Sequence, residues 1–273
     1  MQISQLHLHS PLSLRTDKAM DAEKIYDELV ELIATVDDFM AADIKAAQLL
    51  KQSVMPKSIF KYRLGRYDES GNCWDVSNLR NNQVRMTLPE SFNDPYDSLF
   101  SVAIRGNELE RKILDHMIFA PIRKSMRICC FSESIESMLM WTHYANEHKG
   151  FAIEYGPNEK SSIALQLWPV FYRDKLFDLS RYFSRVSSSL IPLLPALHKA
   201  IDWKYEKEWR LIVPGNGEES LSMPSPKALY LGSKCCPKIE EEITAIAIEK
   251  KIKLFRMSHN PLEFKMDITL VPS

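Results

Sequence analysis

From residue 59 onward the chain reads as short strand-like runs mixed irregularly with modest helical patterns, and this lack of rhythm limits the fold more than any single motif does. Candidate strands, marked by period-two alternation or by β-branched and aromatic enrichment, fall at 59–63, 83–88, 127–131, 151–155, 169–172, 208–213, 227–231, 252–257 and 263–268. Candidate helices fall at 74–82, 108–118, 137–147, part of 180–201, and 238–250, the fourth of them interrupted by Pro192 and Pro195. A doubly wound parallel sheet needs a repeated strand–helix–strand order, which is absent. The expected class is therefore α+β, with mixed, largely antiparallel sheets and surrounding helices. Only eight glycines are present, and neither a dinucleotide-binding glycine fingerprint nor a Walker phosphate loop occurs.

Residues 1–56 have a different texture. Ile25, Leu29, Leu32, Ile33 and Val36 recur at helical spacing, with Thr16 or Asp17 as an N-cap, and the pattern continues to Leu49. One unbroken helix would reach about 50 Å, so a break near Asp37 and Asp38 into two antiparallel helices is expected. The domain organisation is then an N-terminal helical extension, 1–56, ahead of an α+β main domain, 57–273. The extension's sequence leaves open packing on the main domain, homo-oligomer formation and contact with a partner.

The 35 basic and 36 acidic residues leave a net charge of -1, which does not advertise nucleic acid, although a local basic cleft survives such cancellation. No apolar run is long enough to span a bilayer, and residues 1–15 lack a basic stretch followed by an apolar one. A cytoplasmic chain with no membrane partner is expected. Cys73 and the adjacent pairs Cys129–Cys130 and Cys235–Cys236 have neither disulfide-framework nor zinc spacing. They read as buried small hydrophobes, and no metal site is expected.

The segment Trp203-Lys-Tyr-Glu-Lys-Glu-Trp-Arg-Leu-Ile-Val213 enters a hydrophobic strand with charges at every second position. In an extended backbone Glu206, Glu208 and Arg210 share one face, opposite Tyr205, Lys207 and Trp209. That face is either a solvated ladder of ion pairs or a reactive carboxylate pair. Two carboxylates held in a cleft need a cation, for which Arg210 is placed, and one of them gains affinity for a proton.

Three further patches carry polar and aromatic side chains. In Phe60-Lys-Tyr-Arg63, alternation puts Lys61 with Arg63 and Phe60 with Tyr62; Arg63 is either a surface residue or a fork for phosphate or carboxylate. Residues 87–97 run from a strand into a polar loop whose Asn93 and Asp94 suit a turn, with Thr87 or Ser91 available as a hydroxyl beside a ligand. In Met140-Trp-Thr-His-Tyr-Ala-Asn-Glu-His-Lys-Gly150, a helix is expected to end at Gly150, stacking His143 with Glu147 and Tyr144 with His148. His143 and His148 lie about 140° apart around such a helix, which argues against their chelating one metal.

Together, Phe60–Arg63, Ser91-Phe-Asn-Asp-Pro-Tyr-Asp97, Cys130-Phe-Ser-Glu133, Met140–Ala145, His148-Lys-Gly-Phe-Ala-Ile-Glu-Tyr155 and Trp203–Ile212 resemble the bacterial family called domain of unknown function 2971 (DUF2971), in that family's order. A more distant likeness is to the ADP-ribosyltransferase fold. Its NAD pocket takes an arginine or histidine from a first strand, a small hydroxyl residue or tyrosine near the second, and a late glutamate, often as Glu-x-Glu. Arg63, Thr87 and Glu206-x-Glu208 occur here in that order, but Met86-Thr-Leu replaces the usual Ser-Thr-Ser.

That likeness implies an NAD-consuming effector that transfers ADP-ribose to a protein or nucleic acid, or hydrolyses NAD, in a toxin or phage-defence setting. Glu208 would stabilise the charged ribose and Glu206 would orient or deprotonate the acceptor. Arg63 would hold pyrophosphate or ribose, Thr87 would bond near the nicotinamide ribose, and Tyr62, Tyr144 and His143 would complete the NAD pocket. Two alternatives remain: a nucleic-acid hydrolase using His143, Glu147 and His148, and a non-catalytic ligand-binding module.

Overall fold

Strand β1 (Ile59–Arg63) forms where alternation placed it and lies inside an eight-stranded sheet. From edge to edge the order is β14 (Met266–Leu270), β13 (Lys253–His259), β12 (Ala228–Leu231), β5 (Phe151–Tyr155), β1, β4 (Met126–Ser132), β10 (Glu208–Pro214) and β6 (Leu167–Pro169). Neighbours are antiparallel except β12 and β13. A parallel pair needs a crossover, which helix α7 (Pro237–Lys250) supplies between them. The fold is α+β, with a mixed, mostly antiparallel sheet and helices around it; short strands β3 (Phe100–Ser101) and β8 (Phe177–Asp178) pair with each other, and α4 (Ala120–Lys124) leads into β4. The computed structural model describes residues 22–35, 42–102, 120–157, 163–181, 193–215 and 217–272.

Alternation sends the strands' side chains to two cores. On one face Ile59, Phe131, Phe151, Ile153, Trp209 and Leu211 pack with α3 (Trp74–Arg80) and α7, whose Ile239, Ile243, Ile246 and Ala247 form one buried stripe. On the other face Phe60, Tyr62, Ala152 and Tyr230 pack with Met140, Trp141 and Ala145 around helix α5 (Met138–Tyr144). The Ser137 side chain caps α5 by accepting from the Met140 N–H, and the Trp141 indole donates to the Ile135 carbonyl at 2.7 Å.

Several expected elements are shorter or divided. Strand β2 (Gln83–Arg85) stops early and pairs with β11 (Ser220–Ser222), after which Thr87 makes an isolated bridge with Ile128. The single strand expected at 169–172 is two, β6 and β7 (Phe171–Arg173), because Val170 turns its N–H to the Glu208 carbonyl and β7 leaves to pair with β9 (His198–Ala200). Helix α5 ends at Tyr144, three residues before its expected end. Asn146, Glu147 and His148 all have positive φ, a tight return that carries the backbone back to Gly150. A Cβ at Gly150 would stand 2.0 Å from the Arg63 carbonyl oxygen, so glycine is required there for close approach. The helix expected at 108–118 and the break at Asp37–Asp38 lie outside the described residues.

Helices α1 (Ala22–Thr35) and α2 (Ala42–Ser53) pack on the body. Leu29, Val30, Ile33 and Ala47 join Trp168, Phe171 and residues of α6 (Leu193–Ala196) in one buried cluster. Full burial of a side chain such as Leu29 is worth about 1.5–3 kcal/mol, so this contact holds the extension firmly. Of the options open in the sequence, packing on the main domain is the one these residues realise.

Lys51 fastens α2 to the turn before β6. Its Nζ donates to the carbonyls of Ala164 at 2.8 Å and Leu165 at 3.0 Å and sits 4.1 Å from the Trp168 ring centre. Burial lowers its pKa from 10.5 to about 7. Because the folded value lies below the unfolded one, between those two pH values the unfolded chain holds the extra proton, and stability rises with pH; below about 7 the penalty is constant. The thermal midpoint should therefore climb between about pH 7 and pH 10.5, and Lys51→Met should flatten that climb. An unchanged slope in the variant would assign the effect to another group.

Candidate active site

The site starts at the end of β4 and the beginning of β10. Antiparallel register sets Glu208 opposite Ser132 and Arg210 opposite Cys130, so Glu208 and Arg210 project from the same face, as alternation requires. Glu206 reaches the site differently. Residues Ile201–Glu206 form a 3-10 turn, and Lys207 adopts a left-handed φ of 45° before the strand begins. The turn is anchored by Ser132 Oγ, which donates to the Glu206 carbonyl at 2.6 Å. Glu206 is thus off the strand, contrary to the alternation argument, yet its carboxylate converges on that of Glu208.

Lys199, from β9, joins them: its Nζ lies 2.5 Å from Glu206 Oε2 and 3.0 Å from Glu208 Oε2. All five N–H groups of Arg210 have acceptors. Nε donates to Glu208 Oε1 at 2.9 Å, Nη1 to Asp97 Oδ1 at 2.8 Å and the Ala196 carbonyl at 2.7 Å, and Nη2 to Asp97 Oδ2 at 2.5 Å and Glu208 Oε2 at 3.2 Å. Arg210 is 0% exposed and the two glutamates 3% and 4%, which overturns the reading of a solvated strand face. Asp97 closes the loop that sequence treated as a turn, and Ser98 Oγ donates to it at 2.8 Å.

Three carboxylates against two cations leave this buried cluster one negative charge in excess. The excess falls on Glu206, whose pKa is raised by burial and then by the neighbouring Glu208 charge, against the pull of Lys199. Burial also opposes ionisation of Glu208, but Arg210 and then Lys199 outweigh it and hold that carboxyl well below the usual range. Tyr144 Oη donates to Glu206 Oε1 at 2.5 Å and is itself bonded by the Asn93 side chain. Burial, then Glu206, pushes the Tyr144 hydroxyl up, so it stays protonated.

Asp97, Lys199, Glu206 and Glu208 of this cluster line a cavity of about 410 Å³. Strands β1 and β4 share one paired position, Phe60 with Ser132, whereas β1 and β5 share five. Past that point the two strands diverge, and residues from both faces of the sheet line the opening: Lys61 and Arg63 on one side, Tyr62 and Cys130 on the other. Cys130 sits in this polar setting, not an apolar one, and its thiol is pushed up by burial and then by Glu208.

Of the residues singled out from sequence, Arg63, Tyr62, Ser91, His143, Tyr144, Glu206 and Glu208 line this cavity. Thr87 does not. Its backbone exchanges hydrogen bonds with Ile128 at 3.0 and 2.8 Å, and its hydroxyl points to the same carbonyl. Arg63 Nη1 is 3.6 Å from Asp75, while its Nε and Nη2 are buried without an acceptor among the described residues. Tyr62 donates to the Ser134 carbonyl at 2.6 Å and sets its ring edge-on to Trp141. The expected stacking of His143 on Glu147 and Tyr144 on His148 does not form, because the helix has ended: Glu147 is exposed beside Lys149, and His148 is buried against Trp141. Among the described residues no three His, Cys, Asp or Glu side chains gather as metal ligands.

Lys199, Asp97, Asn93 and Lys61 complete the site without having been assigned to it from sequence. Asp97 carried the signal of a dense Asn-Asp-Pro-Tyr-Asp run, but Lys199 is a lone lysine in His-Lys-Ala.

The architecture defines an α+β protein whose sheet opens into a cavity beside a closed ionic cluster. The model of a family described as protein of unknown function (DUF2971) matches residues 140–211, a span holding His143, Tyr144, Lys199, Glu206, Glu208 and Arg210, and supports the resemblance to that family. Phe60–Arg63 and Ser91–Asp97 lie outside the matched span. No curated protein and no solved structure matches the chain.

Replacing Arg210 with Met leaves the buried Asp97 and Glu208 with Lys199 as their remaining cation among the described residues. The expected loss is about 3–5 kcal/mol of stability, read as a lower urea midpoint at pH 7. A loss under about 1 kcal/mol would show that the two carboxylates reach water or other donors.

Proposed function

We propose that the cavity is the active site of an NAD-consuming enzyme of ADP-ribosyltransferase type, which breaks the nicotinamide–ribose bond and passes ADP-ribose to a macromolecule or to water. The observation that carries this reading is that Arg63, with two buried nitrogens lacking an acceptor among the described residues, and the Glu206–Glu208 pair line one cavity. An anionic group on Arg63 and a reacting sugar beside the carboxylates suit those walls. No protein acceptor competes for the free guanidinium donors among the described residues.

The chemistry follows from the divided carboxylates. Leaving-group departure puts positive charge on the ribose, and a carboxylate fixed in a low-dielectric wall favours that state over the ground state. Glu208, held ionised by Arg210 and Lys199, supplies the charge. Glu206, with its raised proton affinity, accepts the proton of the acceptor or of water, assisted by Tyr144. Tyr62 and Phe92 give aromatic walls, and the exposed His143 lies near the Tyr205 ring. Asn93, through Tyr144, is better placed than Thr87 to bond a ribose hydroxyl.

Purified protein given NAD should release nicotinamide, and Glu206→Gln, an isostere of the neutral acid, should cut that release by about 100-fold or more with the unfolding midpoint little changed. Glu208→Gln is a poorer probe because it takes charge from both Arg210 and Lys199. Absence of nicotinamide release from the wild-type chain would sink this reading, as would a fully active Glu206→Gln protein.

A second reading, a non-catalytic ligand-binding module, is favoured by one observation: every cluster carboxylate is closed on a cation, the pattern of a structural ion network. Nucleotide binding without turnover supports it. The hydrolase reading through His143, Glu147 and His148 loses its geometric basis, since only His143 faces the cavity. A toxin or phage-defence setting and a macromolecular acceptor belong with the leading proposal. No helix among the described residues is long and apolar enough to cross a membrane.

A further inference from the structure

Lys61 stands two residues before Arg63 on β1, on the same strand face, with the two Cα positions about 7 Å apart. It lines the same cavity. Its Nζ reaches across the gap between β1 and β4 to the Cys130 carbonyl at 2.8 Å, and lies 5.6 Å from the Phe131 ring centre. That carbonyl is its one hydrogen-bond partner among the described residues, which leaves two of the ammonium's three N–H groups for a ligand. Arg63 adds Nε and Nη2, a fork suited to one phosphate. Asp75 offsets Arg63 only in part, because its Oδ1 is 3.6 Å away and its Oδ2 accepts from the Gly65 N–H at 3.1 Å.

We infer that Lys61 and Arg63 together form a diphosphate subsite, with Lys61 as the residue that distinguishes a diphosphate-bearing nucleotide from a monophosphate. A planar fork satisfies one tetrahedral anion and holds it in a fixed orientation. The ammonium is a mobile point charge one strand repeat away and meets the second anion, which a monophosphate lacks. Carboxylates of the ionic cluster, which carries one negative charge in excess, line the same cavity, so an anionic group is favoured at the β1 cations over the carboxylates. The inference rests on the reading of the cavity as a nucleotide site and is tested separately from bond cleavage.

The test is calorimetric titration of the full chain with ADP, AMP and inorganic pyrophosphate. ADP is expected to bind at least about tenfold more tightly than AMP, and pyrophosphate to bind and compete with ADP. Lys61→Met should bring ADP affinity down to that of AMP while AMP affinity stays within about twofold. Equal binding of ADP and AMP by the wild-type chain would overturn the subsite, as would no binding of any probe, or a Lys61→Met protein that weakens both nucleotides alike. Lys61→Gln serves if the methionine variant does not fold, and the wild-type preference decides without either. ADP preference without nicotinamide release removes the cleavage reading and keeps the subsite; nicotinamide release without ADP preference does the reverse.

Discussion

The buried guanidinium of Arg210 is the interaction on which the rest of the site depends. Its five N–H groups join three separate parts of the chain: the loop that ends at Asp97, the start of β10 at Glu208, and the carbonyl that closes α6 at Ala196. A charge taken wholly out of water is tolerated only when its partners are complete, and here they are. Glu208, once fixed, positions Lys199, and Lys199 in turn positions Glu206. The cluster's odd charge then makes the two glutamates unlike. One is locked as an anion; the other has a raised proton affinity and lies within reach of Tyr144.

A second constraint creates the space. Strand pairing between β1 and β4 ends after Phe60 and Ser132, and the sheet opens instead of zipping along the rest of β1. Lys61 bridges the gap with a side chain where a backbone ladder would otherwise run. Side chains from both faces of the sheet therefore meet in one cavity, cationic beside β1 and anionic beside β10. The N-terminal helices support this arrangement from behind, because their apolar residues share a cluster with the residues around α6 and β9 that present Ala196 and Lys199.

Local pattern was a good guide wherever the backbone is regular. The alternation in β1, β5 and β10 gave their bounds nearly to the residue and the facing of Glu208 and Arg210 correctly. It failed at single residues that leave the regular conformation. Lys207 takes a left-handed turn that its side chain does not announce, so Glu206 arrives at the cluster from a 3-10 turn. Asn146, Glu147 and His148 do the same at the end of α5 and separate His143 from its expected partners. Thr87 sits where the motif order placed it in the chain but is spent on a bridge to Ile128.

The sequence by itself determined the α+β class, the strands that build the central sheet, and the shared facing of Glu208 and Arg210, because each of these rests on periodicity over a few consecutive residues. Tertiary structure alone decided that the pair is buried, that Lys199 and Asp97 complete it, and that Lys61 and Arg63 share its cavity. Those partners are far apart in the chain, and the charge state of each carboxyl is set by burial and by cations from other strands. Neither quantity exists until the strands have paired and the sheet has opened between β1 and β4.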